Sequence, residues 1–186
     1  MNPALPKAYL CRRFPASIEA ALRERFALAV NESDAILPPD ELVRRAAGSQ
    51  TLFVTATETV NAHVLRALSP QLRHVATLSV GFDHIDLDAA RELGVKVLHT
   101  PDVLSAACAE IAMLLVLAAC RRGYEADRMV RSGQWPGWAP TQLLGLGLVG
   151  RRMGIFGMGR IGREIAARAR AFGMTIHYHN RRRLAP

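Results

Sequence analysis

MGIFGMGRIG, residues 153–162, decides how this chain folds. A short apolar run, 153–156, precedes three glycines in the spacing Gly-x-Gly-x-x-Gly, and apolar residues at helical spacing follow as far as Gly173. A second run of β type, 174–178, leads into the polar tip Asn180-Arg181-Arg182-Arg183. Strand, glycine turn, helix, strand and polar tip, in that order, are what a dinucleotide-binding unit requires.

Each glycine of the turn has its own physical task. Gly157 allows the tight turn, and Gly159 lets backbone N–H groups approach a pyrophosphate. Gly162 lets the helix lie close to the strand, with its N-terminus facing the negative charge. The alternative is a chance glycine-rich turn. We predict a cofactor cradle made of Gly157, Met158, Gly159, Arg160, Ile161 and Gly162.

Length and composition describe a globular protein. The chain has 186 residues, of which 50% are hydrophobic and 22% charged, enough for one large domain or one and a half small ones. No secretory signal is evident at the N-terminus. Three cysteines without metal or redox spacing (Cys11, Cys108 and Cys120) indicate reduced thiols. We therefore expect a cytoplasmic protein without a metal site.

Positive charge is concentrated in the last third of the chain. Residues 1–120 carry 11 Lys and Arg against 13 acids, whereas residues 121–186 carry 13 Arg against 3 acids. A basic segment could indicate nucleic-acid binding. These arginines, however, are not interleaved with aromatic residues that would stack on bases. We expect nucleotide phosphate and solvated helix surface to account for the charge, and no nucleic-acid partner.

Strands alternate with helices throughout the first hundred residues. We predict strands over 8–11, 26–30, 51–55, 75–80 and 95–98, with helices over 17–25, 39–47, 61–68 and 86–93. This alternation predicts an α/β fold with a parallel sheet covered on both faces.

A nearly continuous apolar stretch, 103–120, follows the predicted sheet. Its length approaches a membrane span, but Glu110 near its middle would be costly in lipid. We predict a long helix buried between two domains or two subunits, and no membrane partner. The irregular stretch 132–150 contains Trp135 and Trp138 and is expected to pack against something. The helix and this loop are the predicted contact of a homodimer.

Three spaced segments resemble the D-2-hydroxyacid dehydrogenase family. They are Ser79-Val80-Gly81-Phe82-Asp83-His84-Ile85-Asp86, Thr100-Pro101-Asp102-Val103-Leu104 and the glycine turn 157–162. The glyoxylate/hydroxypyruvate reductases are the subgroup that the sequence resembles most. The resemblance runs from about residue 50 to the end, with a looser match before it.

The resemblance implies a particular division of the chain. Residues 1–100 would be the flavodoxin-like portion that carries the substrate. Residues 101–186 would be an interdomain helix and the first β-α-β unit of a Rossmann NAD(P)-binding domain, truncated after two strands. The family's catalytic arginine, glutamate and histidine would lie beyond residue 186. No catalytic role falls on any histidine of this chain.

The resemblance also implies where ligands bind. Backbone N–H groups of Val80 and Gly81 would hold the substrate carboxylate, as adjacent N–H groups at a strand end can do. The alternative is an ordinary turn at Gly81. Cys108 stands where the family often has a threonine close to the cofactor. A thiol is a weak hydrogen-bonding group, so this contact is the weakest of the predicted set.

The tip of the second strand decides which cofactor is favoured. Enzymes that select NAD place an acid there for the ribose hydroxyls, whereas a nearby arginine accommodates a 2′-phosphate. Here Asn180 is neutral, and Arg181 and Arg182 follow it. We predict NADP(H) in preference to NAD(H), with a solvated arginine turn as the alternative.

These features together predict an oxidoreductase that reduces a small 2-oxo acid, such as glyoxylate or hydroxypyruvate, with NADPH. The 186-residue chain would be an inactive N-terminal fragment of it. One alternative is a non-catalytic nucleotide-sensing or interaction protein on the same fold. Another is a short regulatory chain that pairs with the full-length enzyme through the 103–120 helix.

Overall fold

Strands and helices alternate in the first part of the computed structural model, which describes residues 4–184. The elements are β1 Lys7–Leu10, α1 Ala16–Arg23, β2 Ala27–Val30, α2 Pro39–Arg45, β3 Thr51–Val54, α3 Ala62–Leu68, β4 His74–Thr77, α4 Leu87–Glu92 and β5 Lys96–Leu98. The chain divides into two compact units between Pro101 and Asp102. The outer ends of the predicted ranges 1–100 and 101–186, namely 1–3 and 185–186, lie outside the described residues.

The five strands form one parallel sheet in the order β2-β1-β3-β4-β5. This is the flavodoxin-like order, so the predicted fold class is confirmed. In the register Leu52 pairs with both Tyr9 and Val75. Because all strands run the same way, their carboxyl ends meet at one edge of the sheet, where such folds bind ligands.

The core of this unit lies on one face of the sheet. Leu52, Val54 and Val75 point into it and are fully buried. Side chains of α2, α3 and α4 pack against them. Asn61 and Asp86 fix the starts of α3 and α4, because their side-chain oxygens accept hydrogen bonds from the first-turn N–H groups.

The opposite face is less completely covered than the sequence predicted. An apolar groove of about 330 Å³ lies among residues that include Phe26, Phe53, Ala76 and Leu98. Leu98 is 54% exposed. The reason is the distribution of helices, since α2, α3 and α4 all contribute to the core of the first face. Within residues 4–101 the second face is therefore covered only in part, since Ala8 and Leu10 of β1 are buried there but Leu98 is not.

The second unit contains α5 Ser105–Cys120, α6 Gly123–Arg131, β6 Arg152–Phe156, α7 Arg160–Ala171 and β7 Thr175–His179. Strands β6 and β7 are parallel, with Ile155 opposite Tyr178, and α7 connects them. This is the predicted β-α-β unit at the start of a Rossmann domain. Met113 of α5 and Ala169 of α7 share a small core with Leu148.

Helix α5 is only partly buried within this chain. Only Ala109 and Met113 are buried, whereas Ile111, Leu114 and Leu115 are each more than half exposed. The helix is apolar on all sides, and one side of it packs on α7. Burial within this chain is thus confined to that side. No helix within residues 4–184 is long and apolar enough to cross a membrane.

The loop 132–150 also exposes its large side chains. Trp138 is 82% exposed. Trp135 is half exposed, and its indole N–H donates to Oε1 of Gln142 at 3.1 Å. Of this loop, Leu148 packs into the core with Met113 and Ala169, whereas the two tryptophans are not buried among the described residues of this unit.

Candidate functional site

The glycine turn of the second unit joins β6 to α7. Gly157 has a φ of +97°, a conformation that L side chains rarely adopt. Gly162 is buried, and a Cβ atom on it would lie 2.1 Å from the carbonyl oxygen of Gly157. At Gly159 a Cβ atom would have no neighbour within 4 Å. The first and third glycines are therefore required by the fold, whereas the second leaves open space beside the turn.

That open space lies in front of the N-terminus of α7. Gly159 is the N-cap residue and provides no side-chain cap, and the first turn contains no acid. The first N–H groups of a helix have no intrahelical partners and carry partial positive charge. Together with the neighbouring Arg160 and Arg163 they make an environment suited to an anion.

The tip of β7 is tied to the glycine turn. The N–H group of Met158 donates to Oδ1 of Asn180 at 2.8 Å, and the N–H group of Gly157 donates to the carbonyl oxygen of His179 at 2.9 Å. Because Asn180 uses its oxygen on the turn, its side-chain NH₂ group remains as a donor. The predicted residues Met158 and Asn180 are thus brought together directly.

The turn and the tip line one pocket of about 850 Å³. The predicted residues among its lining are Met158, Gly159, Arg160, Asn180, Arg181 and Arg182. It also includes Arg183, the last residue of the predicted polar tip, and Arg163 and Leu184, which were not predicted. Arg163 could have been found from the sequence, since it follows Arg160 by three positions and so shares its face of a helix.

The charge of this pocket is largely uncompensated. Nε of Arg160 pairs with Oδ1 of Asp102 at 2.7 Å. Within the part of the chain that the structure describes, Arg163, Arg181 and Arg182 form no salt bridge with a carboxylate. A pocket with several arginines that pair with no carboxylate can accept a ligand that carries several negative charges.

Cys108 and Ile161, both predicted to bind the cofactor, do not line the pocket at the glycine turn. Cys108 lies in the first turn of α5, half-buried, and its N–H group donates to the carbonyl oxygen of Leu104. It is not among the residues that line the pocket. Ile161 and Gly162 belong to the first turn of α7, where Gly162 is packed against the turn rather than exposed to the pocket.

The second predicted site is the loop that follows β4. The strand ends at Thr77, three residues before the predicted end at Val80. Leu78 still donates to Val54 of β3, whereas the carbonyl oxygens of Ser79 and Val80 accept from Thr100 and His99. Val80 is half-buried and Gly81 exposed. Among the described residues, the N–H groups of Val80 and Gly81 have no hydrogen-bond partner. The loop thus presents two adjacent free donors at the carboxyl edge of the sheet.

Polar side chains beneath this loop form a small network. Oγ1 of Thr77 lies 2.6 Å from Oγ of Ser79 and 3.0 Å from Nε2 of His84. Burial lowers the pKa of His84, and the nearby charges of Glu58 and Asp83 oppose this only in part. A neutral His84 at pH 7 suits the structural hydrogen bond it makes with Thr77.

A buried carboxylate lies at the same edge of the sheet. Glu58 is fully buried, and its oxygens accept from the N–H group of Thr55 at 2.7 Å and from the hydroxyls of Thr55 and Thr57. Burial and the charge of Glu58 together raise the pKa of the Cys11 thiol, so this thiol remains protonated. Residues 4–184 contain no cluster of three potential metal ligands.

Comparison with known proteins gives consistent matches. The model of the family described as D-isomer specific 2-hydroxyacid dehydrogenase, catalytic domain, matches residues 9–180. The glyoxylate reductase of Thermococcus onnurineus (strain NA1) is 40% identical over 182 residues, which are 96% of this chain and 54% of that protein. The human glyoxylate reductase/hydroxypyruvate reductase is 38% identical over 189 residues, 100% of this chain and 58% of that protein.

A solved structure is closer in sequence. It is a protein from Polaromonas sp. JS6 66 described as D-isomer specific 2-hydroxyacid dehydrogenase, NAD-binding. Its sequence is 70% identical and its TM-score is 0.89, with 97% of this chain and 57% of that chain covered. The chain therefore spans a little more than half the length of the proteins it matches.

Proposed function

The chain belongs to the D-isomer specific 2-hydroxyacid dehydrogenase family, and from this we propose that it is the N-terminal part of a reductase for small 2-oxo acids. In this proposal the first unit carries the substrate, and the second begins the cofactor-binding domain. The observation that carries the proposal is the cationic pocket built on the glycine turn, whose lining suits a dinucleotide. The glyoxylate reductases among its relatives suggest the substrate class.

The substrate carboxylate would bind at the loop after β4. The free N–H groups of Val80 and Gly81 lie next to each other and can both donate to one carboxylate. Backbone donors of this kind fix the orientation of the acid without contributing a mobile side chain. A two-carbon or three-carbon 2-oxo acid held in this way would present its carbonyl group outward from the loop.

The residues of the second unit would hold a nicotinamide dinucleotide, which supplies the hydride when bound. Open space at Gly159 allows the pyrophosphate to approach the N–H groups at the start of α7. Arg160 stands at the same helix N-terminus, where its guanidinium can reach a phosphate oxygen.

We propose further that the cofactor is NADPH rather than NADH. The side chain of Asn180 presents an NH₂ donor. A carboxylate at this position would repel a 2′-phosphate. Arg181 and Arg182 line the same pocket, and a planar guanidinium can bind two phosphate oxygens together.

Fluorescence titration with NADPH and NADH tests this cofactor preference. Arg181→Ala should weaken NADPH binding at least about tenfold, because charge-assisted hydrogen bonds are lost. It should leave NADH binding nearly unchanged. Arg170→Ala, an exposed arginine of α7 outside the pocket, is the matched control. Equal NADPH affinity in wild type and Arg181→Ala would refute the assignment of Arg181.

The isolated 186-residue chain is proposed to be catalytically inactive. The resemblance implies three catalytic groups, an arginine, a glutamate and a histidine, and we assign none of them to a described residue. In the second unit the described strands are β6 and β7, which leave β7 with a free edge. Oxidation of NADPH with glyoxylate by the purified chain, above a buffer control, would contradict this proposal.

A second copy of the chain is the proposed partner of α5. Ile111, Leu114 and Leu115 form an exposed apolar face, and Trp138 is exposed as well. Leu115→Lys should convert a dimer into a monomer in light scattering after size exclusion. Ile18→Lys, at a half-exposed position of α1, should not. A wild-type monomer at micromolar concentration would contradict the proposed dimer.

A cytoplasmic location is proposed from the cysteines. Cys11, Cys108 and Cys120 are free thiols. A reducing compartment maintains that state.

A further inference from the structure

The loop after β4 is asymmetric in its backbone hydrogen bonds. From Ser79 to Phe82 every carbonyl oxygen accepts a hydrogen bond from a residue of the same unit. Over the same four residues no N–H group has a partner in the described part of the chain. Buried or partly buried loops ordinarily satisfy donors and acceptors alike. Here the four carbonyl oxygens are held within the unit, and the four N–H groups are left without a partner among the described residues.

Three of these four hydrogen bonds hold the carbonyl oxygens of Ser79, Val80 and Gly81. The N–H group of Thr100 donates to the carbonyl oxygen of Ser79 at 3.0 Å. The hydroxyl of Ser79 donates to the carbonyl oxygen of Gly81 at 2.7 Å. Nδ1 of His99 lies 3.0 Å from the carbonyl oxygen of Val80. Because a carbonyl oxygen only accepts, Nδ1 must carry the proton in this contact.

The imidazole of His99 is itself held in place. Its ring meets the ring of Phe82 edge to face, with the centroids 5.3 Å apart. His99 therefore contacts the loop twice, through a hydrogen bond to Val80 and through the ring of Phe82. The Val80–Gly81 peptide lies between these two contacts, so its orientation depends on this histidine.

We propose that His99 is a positioning residue for substrate binding. By holding the carbonyl oxygen of Val80 away from the ligand, it keeps the N–H group of Gly81, which belongs to the same peptide plane, aimed at the carboxylate. His99 itself does not touch the substrate in this proposal. The inference rests on the proposed carboxylate site at Val80 and Gly81.

The test is titration of the ¹⁵N-labelled 186-residue chain with oxamate, followed through the amide signals of Val80 and Gly81. His99→Leu removes the donor and should weaken oxamate binding about fivefold, the effect of one ordinary hydrogen bond. His99→Asn should bind within about twofold of wild type, because an asparagine NH₂ group can take the place of Nδ1. His63→Leu, at an exposed histidine paired with Asp40, is the matched control.

The possible results separate the two claims. If wild type shows no shift at Val80 and Gly81, the proposed carboxylate site itself is wrong. If wild type binds and His99→Leu binds equally well, only the positioning role is wrong. If His99→Leu does not fold, His99→Phe, which keeps an aromatic ring against Phe82 but lacks the donor to the Val80 carbonyl oxygen, is compared with His99→Asn. Loss of affinity in the first with retention in the second supports the proposal, and any other pattern overturns it.

Discussion

Replacing Gly162 by alanine tests how the cofactor cradle is built. The added Cβ atom would lie 2.1 Å from the carbonyl oxygen of Gly157 and 3.1 Å from its carbonyl carbon. Both atoms belong to the backbone and cannot rotate away. The N-terminus of α7 must therefore move away from the turn by about 1 Å to restore normal contact distances.

The energetic cost follows from how α7 is packed. Ala166 and Ala169 of the same helix are almost completely buried, so the helix cannot retreat without disturbing the core behind it. Overpacking of this kind costs about 3 kcal/mol. Alanine recovers about 1 kcal/mol because it favours helix over glycine. We expect the free energy of unfolding to fall by about 2 kcal/mol.

The assay is urea unfolding of Gly162→Ala followed by circular dichroism, together with an NADPH titration. Gly159→Ala is the matched control, since a Cβ atom there has no neighbour within 4 Å. Its stability should change by no more than about 1 kcal/mol, the cost of alanine at an N-cap. Its NADPH affinity should fall, because the methyl group occupies the space left for the pyrophosphate. A Gly162→Ala chain as stable as wild type would refute this reasoning.

Three further changes test the hydrogen bonds at the two sites. Asn180→Ala removes the acceptor of the Met158 N–H group and should lower the free energy of unfolding in urea by about 1 kcal/mol. Glu58→Gln places an NH₂ group or a weaker acceptor against the Thr55 N–H group, and in the same assay should cost about 2 kcal/mol. Burial lowers the pKa of His84, so the unfolded state binds its proton more readily and stability should fall as pH drops below about 6.5. His84→Gln should remove this part of the pH dependence of the urea midpoint, and an unchanged dependence would contradict it.

Local sequence patterns were sufficient to predict most of the fold. β3 and β5 are short apolar runs bounded by polar or turn residues, and their strands fall within one or two residues of the predicted limits. The glycine spacing at 157–162 predicted both the turn and the start of α7. In each case the signal and the structure that it determines lie within a few residues of each other.

The misses come from interactions over longer separations. Residues 78–80 resemble a continuation of β4, but His99 and Thr100, about twenty positions later, hydrogen-bond to the carbonyl oxygens of Val80 and Ser79. Neither residue carries a local signal for that role. Helix α5 is apolar on every side, so its sequence gave no indication of which side packs on α7. The ion pair of Asp102 with Arg160 joins residues far apart along the chain, so it could not be predicted from the sequence either.

The position of Asn180 separates what the fold needs from what the ligand needs. Its Oδ1 accepts from the Met158 N–H group, and an aspartate oxygen could accept that hydrogen bond equally well. The turn therefore does not require a neutral side chain at this position. What the amide changes is the charge beside Arg181, because a carboxylate there would pair with the guanidinium and repel a phosphate. Under the proposed NADPH binding, an asparagine at this position is therefore accounted for by the ligand, since the fold accepts either side chain.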